Sequence, residues 1–142
     1  MKLKGLDHAI SWSTTQPEFG VVCPEDGRTS WVFNPADSCE LAQAVDTVNG
    51  LANMREVYRK ASPGFDHRFT VPVLWDKKTN TIVNNESTEI HRMFNYNFNS
   101  IAKNPQLDLF HGDLKDEIGQ MADTWIYHNI LNGVYKCGFA ST

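Results

Sequence analysis

Apolar positions along this chain change their spacing several times, and each change predicts an element. Ala9 to Thr15 alternates in part between Gly5 and Pro17, which predicts a strand. Pro17 to Asp26 carries prolines and acids and reads as a loop, and Trp31-Val32-Phe33 is a short apolar island, a loop or an edge, before Asn34-Pro35. Leu41, Val45 and Val48 fall at helical spacing, as do Leu51, Met54 and Tyr58, with Gly50 set to break the run and Ser62-Pro63-Gly64 to close it. Val73-Leu74-Trp75 after Pro72, a polar turn over Asp76 to Asn80, and Ile82-Val83 predict a hairpin. From about Ser87 a helix follows, with Ile90, Met93, Phe94, Phe98 and Ile101 on one face and Asn104-Pro105 as its stop. Glu86 and Glu89 complement the positive end of its dipole. A linker runs to Gly112. A last helix spans about Leu114 to Leu131 with a stripe of Leu114, Ile118, Met121, Trp125, Ile126 and Ile130, and Gly133 is its expected end.

The order strand, helix, hairpin, helix, linker, helix predicts an α/β first part and an all-α second part. At 142 residues, 41% hydrophobic and 21% charged, the chain suits a modest globular domain. A net charge of −4 with scattered lysines and arginines argues against a nucleic-acid partner. No apolar run reaches the length of a membrane span, and Met1-Lys2-Leu3-Lys4 leads into no signal-like core. Cys23, Cys39 and Cys137 form no Cys-x-x-Cys pair, so they read as ordinary thiols in a reducing compartment, the cytoplasm. Without a secretory signal, the sequon Asn85-Glu86-Ser87 reads as accidental. The five histidines show no ligand spacing, so no metal is expected.

By residue type alone the candidate chemistry is plain. Val71-Pro72 is a strand start, Glu86-Ser87 a helix start, Trp31 a core aromatic, Arg68 a solvated cation and Tyr135 a half-buried aromatic. The string Arg68 to Ser87, RFTVPVLWDKKTNTIVNNES, changes that picture, together with Trp125-Ile126-Tyr127 running on to Asn132-Gly133-Val134-Tyr135-Lys136. Both resemble signatures of the glutathionyl-hydroquinone reductases, the xi class of the glutathione transferase superfamily. Lys4-Gly5-Leu6 followed by Ala9-Ile10-Ser11 is a weaker echo, and the likeness covers nearly the whole chain in order.

The resemblance implies a thioredoxin-like glutathione-binding domain over residues 1–104 and the beginning of a helical glutathione-transferase C-terminal domain over 105–142. It implies a cis bond before Pro72, which turns the Val71 backbone outward to pair with the cysteinyl part of glutathione. It implies that Ser87 and the α-helical N-terminus hold the γ-glutamyl carboxylate while Glu86 takes the ammonium. Trp31, in its Trp-x-Phe setting, covers the tripeptide. Arg68 suits a carboxylate, with Phe69 and Thr70 on the same wall. Tyr135 reaches the substrate oxygen as a general acid. Glutathione is then the co-substrate, quinone-type conjugates are the substrates, and a homodimer is the family's assembly.

The family's nucleophile lies in a Cys-Pro-Trp string, and these 142 residues contain none. Lys2 to Leu6 aligns with the end of the helix that follows that string. The chain therefore reads as a truncated thioredoxin-like domain that begins after the nucleophile and stops inside the helical domain. Cys23-Pro24 lacks the aromatic and helical pattern that would make it a substitute, and Cys137 reads as a filler. Three readings stay open: a glutathione-dependent reductase, a non-catalytic fragment, and an interaction module.

Overall fold

A computed structural model describes residues 1–34 and 44–140. Cys39, and Leu41 of the expected first helix, lie outside the described residues. The described elements are β1 (Phe19–Cys23), β2 (Arg28–Trp31), α1 (Met54–Ala61), β3 (Leu74–Asp76), β4 (Thr81–Asn84) and α2 (Ser87–Tyr96). A 3-10 turn, Gly112–Leu114, then leads into one helical stretch made of α3 (Lys115–Met121), a π-helix (Ala122–Leu131) and α4 (Asn132–Gly138). Two antiparallel two-stranded sheets, β1-β2 and β3-β4, precede the helical stretch.

The second hairpin forms as expected. Trp75 pairs with Ile82 and Asp76 with Thr81. Asp76 shapes the turn by accepting from the Lys78 amide at 2.8 Å and the Thr79 hydroxyl at 2.6 Å. α2 begins at Ser87 with Glu86 as its cap, and Ile90 is buried on its inner face. The helix stops at Tyr96 and turns follow to Ile101, well before Asn104-Pro105.

Four expectations are corrected. Pro17 to Asp26 is no loop: Phe19, Gly20 and Val21 pair with Trp31, Ser30 and Thr29. Asp26-Gly27 makes the turn, with Gly27 at φ +67°, and this dipeptide favours a hairpin. Ala9 to Thr15 forms no strand, because apolar alternation builds one only where a neighbour offers a ladder. Its contacts run through side chains instead, as where Ser13 Oγ accepts from the Thr47 amide at 3.2 Å.

The described part of the first helical run, Ala44 to Asn53, forms no helix but a turn over Thr47 to Asn49. The buried Asp46 carboxylate accepts from the amides of Val48 and Asn49 at 3.0 Å and Leu51 at 3.3 Å, which competes with an α-helical ladder. Gly50 at φ +66° ends the turn, and Asn53 then caps α1 by accepting from the Glu56 amide at 3.1 Å. Finally, the last helix runs through Gly133 to Gly138, since Gly133 keeps a negative φ and makes no left-handed cap.

The core sits under α1. Met54, Val57 and Tyr58 are buried and pack against Trp31, Phe33, Phe65, Phe69, Trp75 and Ile82. A second packed point joins the two ends of the first part. Leu6 is fully buried, and the buried Lys4 donates to the carbonyls of Pro105 at 3.1 Å and Leu107 at 2.8 Å. Gly5 between them is at φ +63°, and a Cβ there would stand 2.6 Å from Lys103 Cβ. Gly5→Ala is therefore expected to cost about 1–2 kcal/mol for the left-handed backbone alone, and more for the collision. Gly64→Ala, in open space at an ordinary φ, is the neutral comparison, and urea denaturation of both variants checks this.

Candidate functional site

The segment leading into β3 and the loop leading into α2 meet at a small set of polar groups. Val71-Pro72 is cis, and Val71 is exposed. One residue earlier, the Thr70 carbonyl accepts from the Tyr58 hydroxyl at 3.1 Å, and Thr70 Oγ1 is also 3.1 Å from that hydroxyl. From the other side, Asn85 Nδ2 donates to Tyr58 Oη and to Thr70 Oγ1, each at 3.0 Å.

The α2 start is set by its own side chains. Asn84 Oδ1 accepts from the Glu86 amide at 2.7 Å, while Asn84 Nδ2 donates to Glu89 at 2.6 Å. Glu86 Oε1 accepts from the Thr88 amide at 3.3 Å and the Ser87 hydroxyl at 3.4 Å. The first ladder bond joins the Ile90 amide to the Glu86 carbonyl, so the amides of Ser87 and Glu89 lie ahead of the ladder. Two unladdered amides, a hydroxyl, and a carboxylate make a cradle for an anion beside a cation.

The other sequence-predicted residues are more scattered. Trp31 ends β2, contacts Phe19 at 4.4 Å between centroids, and is half-buried against α1. Together with Val71 and Pro72 it lines a cavity of about 1260 Å³, whose far walls include Ile10, Trp75 and Phe94. Arg68, Phe69, Thr70, Glu86, Ser87 and Tyr135 do not line that cavity. Arg68 is exposed. Phe69 packs edge-on to Tyr58 at 5.9 Å and belongs to the core wall. Tyr135 lies on α4, exposed, with its ring stacked on Phe139 at 6.3 Å. Tyr58 and Asn85 are the polar groups that sequence reasoning passed over as functional. Spacing placed Tyr58 on a helical face with Leu51 and Met54, but no local signal shows that its hydroxyl reaches residues 12 and 27 positions away.

Cys23 closes β1 and donates to Glu25 Oε2 at 3.1 Å. Hydrogen bonding to Glu25 and then Asp26 holds its thiol above the usual range, which disfavours the thiolate. Among the described residues no cluster of three or more His, Cys, Asp or Glu side chains suits a metal ion, and no helix is long and apolar enough to cross a membrane.

No family profile matches the chain. The crystal structure of the glutathione transferase Xi from Phanerochaete chrysosporium superposes with a TM-score of 0.83 at 44% identity, covering 99% of this chain and 45% of that one. Over nearly its whole length this chain is similar to xi-class glutathione transferases. Its fold is that of its neighbours, a thioredoxin-like part with small sheets followed by a helical part. Glutathione S-transferase omega-like 2 of Schizosaccharomyces pombe is 38% identical over 99% of this chain and 42% of its own length. Glutathionyl-hydroquinone reductase YqjG of Escherichia coli is 41% identical over 99% of this chain and 39% of its own length. The glutathione-bound structure of YqjG superposes with a TM-score of 0.78 at 42% identity, covering 99% of this chain and 42% of that one. The chain thus spans about two fifths of the length of these curated relatives (42% and 39%).

Proposed function

We propose that this chain binds glutathione through the cradle at the start of α2 and the backbone at Val71. Residues 1–104 form the glutathione-binding domain, and residues 105–142 belong to the helical domain. The observation that carries the reading is that two segments suited to the two ends of one tripeptide are tied together. Val71, exposed and ahead of a cis bond, offers its backbone N–H and C=O to a peptide, and the Glu86-Ser87 cradle offers paired recognition of a carboxylate and an ammonium. The relative named YqjG has been solved with glutathione bound, which supports the same ligand class. Trp31 covers the ligand and Arg68 meets its free carboxylate, with Phe69 and Thr70 as the wall behind Val71.

For the whole protein we assign the reduction of glutathionyl-hydroquinones, after the names of its reductase relatives. A cysteine thiolate attacks the glutathionyl sulfur, a mixed disulfide forms, and the carbon–sulfur bond breaks as the hydroquinone takes up a proton. A second glutathione thiolate then resolves the disulfide, leaving glutathione disulfide and the free cysteine. Tyr135 supplies the proton. The thiolate step is assigned to none of these 142 residues: Cys23 is held as the thiol, and no Cys-Pro-Trp string is present. The site is a cytoplasmic one.

Isothermal titration of the 142-residue chain with reduced glutathione tests the binding reading. Saturable heat that Ser87→Ala diminishes is expected. The absence of heat at millimolar glutathione overturns it.

A further inference from the structure

Tyr58 is 4% exposed, and its ring is held by Phe65 at 4.8 Å and Phe69 at 5.9 Å. A buried phenol needs a partner for its hydroxyl, and one acceptor would suffice. This one is fully used. Its proton has the Thr70 carbonyl as acceptor at 3.1 Å, and its lone pairs face Asn85 Nδ2 at 3.0 Å and the Thr70 hydroxyl at 3.1 Å. Neither partner belongs to α1. Thr70 immediately precedes Val71, and Asn85 immediately precedes Glu86. Asn85 Nδ2 and Thr70 Oγ1 also meet directly, across 15 residues of chain. The hydroxyl therefore anchors the residue ahead of each half of the glutathione site and, among the described residues, no other segment.

We propose that Tyr58 is a positioning residue whose hydroxyl couples the Val71 half of the site to the Glu86-Ser87 half, so that both are held in the spacing one tripeptide requires. The assignment rests on the glutathione reading above. The aromatic ring supplies packing, and the hydroxyl supplies register between two loops beyond the end of the β3–β4 ladder, which closes at Leu74 and Asn84. A ligand spanning both halves gains from that register, because the loops need not be ordered at the moment of binding.

The test separates the hydroxyl from the ring. Tyr58→Phe keeps the packing, and Asn85→Ala cuts the same junction from its exposed side, where loss of the fold is not at issue. Each is expected to weaken reduced glutathione about tenfold, about 1.4 kcal/mol by titration calorimetry. Ser87→Ala should then cost clearly less in the Tyr58→Phe background than in the wild type, since independent sites would add. In the ligand-free chain, hydrogen exchange should quicken together in peptides covering Phe69–Leu74 and Asn84–Ile90 in either variant. Wild-type binding that Tyr58→Phe leaves within twofold, or an additive cycle, overturns the proposal. No heat from the wild type overturns the glutathione reading, and coupling is then decided by exchange alone. Faster exchange in one peptide only, or in neither, overturns it.

Discussion

Glu86→Gln is expected to weaken glutathione binding by tenfold or more while leaving the melting temperature nearly unchanged. The substitution separates two jobs of one side chain. As the α2 cap, Glu86 accepts from the Thr88 amide at 3.3 Å, and an amide oxygen can accept that bond equally well. As the proposed partner of the ligand ammonium it needs its charge. A hydrogen bond to a charged group contributes about 1.5–3 kcal/mol, roughly 10- to 150-fold in affinity. The Asn84 side chain, 2.7 Å from the Glu86 amide, holds the backbone in either variant, so the carboxamide lies where the carboxylate lay. Glu86→Ala removes both jobs and should lower affinity and melting temperature together. Calorimetry and thermal unfolding of the two variants decide the matter. Equal affinity of Glu86→Gln and wild type would take Glu86 out of the site.

How much of this was legible in the sequence depends on the range of the interactions involved. The β3–β4 hairpin and the start of α2 are written locally. Pro72, the polar Asp76 to Asn80 turn, and the Asn84 to Ser87 run each act within a few residues. The first hairpin had a local signal as well, Asp26-Gly27, but the prolines on either side of β1 outweighed it. Ala44 to Asn53 shows a different limit. Its apolar spacing is helical, yet one buried carboxylate gathers three amides and makes a turn. Periodicity reports which side chains face inward, and it is silent on a side chain that competes for the backbone. Ala9 to Thr15 fails in the opposite sense: a strand is a property of two segments, and alternation describes one.

The candidate site divides along the same line. Resemblance implied a cis bond at Val71-Pro72, local capping residues implied a helix start at Ser87, and both are found. The tie between them through Tyr58 was out of reach, because the partners come from α1 and from two irregular segments 12 and 27 residues further along the chain. In the helical stretch the stripe expected from Leu114 to Ile130 meets no described core. Leu114 and Met121, ahead of the π-helix over Ala122–Leu131, are exposed, and so are Trp125 and Ile130 within it.

Val57→Asp is expected to leave the first part of the chain unfolded, whereas Val21→Asp should leave it folded. Both replace a valine by the same charge, and they differ in what surrounds it. Val57 is buried in α1 between Met54 and Tyr58, against a wall of aromatic and aliphatic side chains from both hairpins. Tyr58 Oη is already committed to Thr70 and Asn85, so it gives the new carboxylate no free partner. An unpaired buried charge costs more than about 4 kcal/mol, a large share of the stability of a domain this size. Val21 pairs with Thr29 in β1 and is 64% exposed, so an aspartate there stays in water and loses only strand preference, up to about 1 kcal/mol. Circular dichroism and one-dimensional proton spectra of the two variants check the contrast. A folded Val57→Asp chain would mean that α1 does not cap this core, and with it the Tyr58 junction would lose its support.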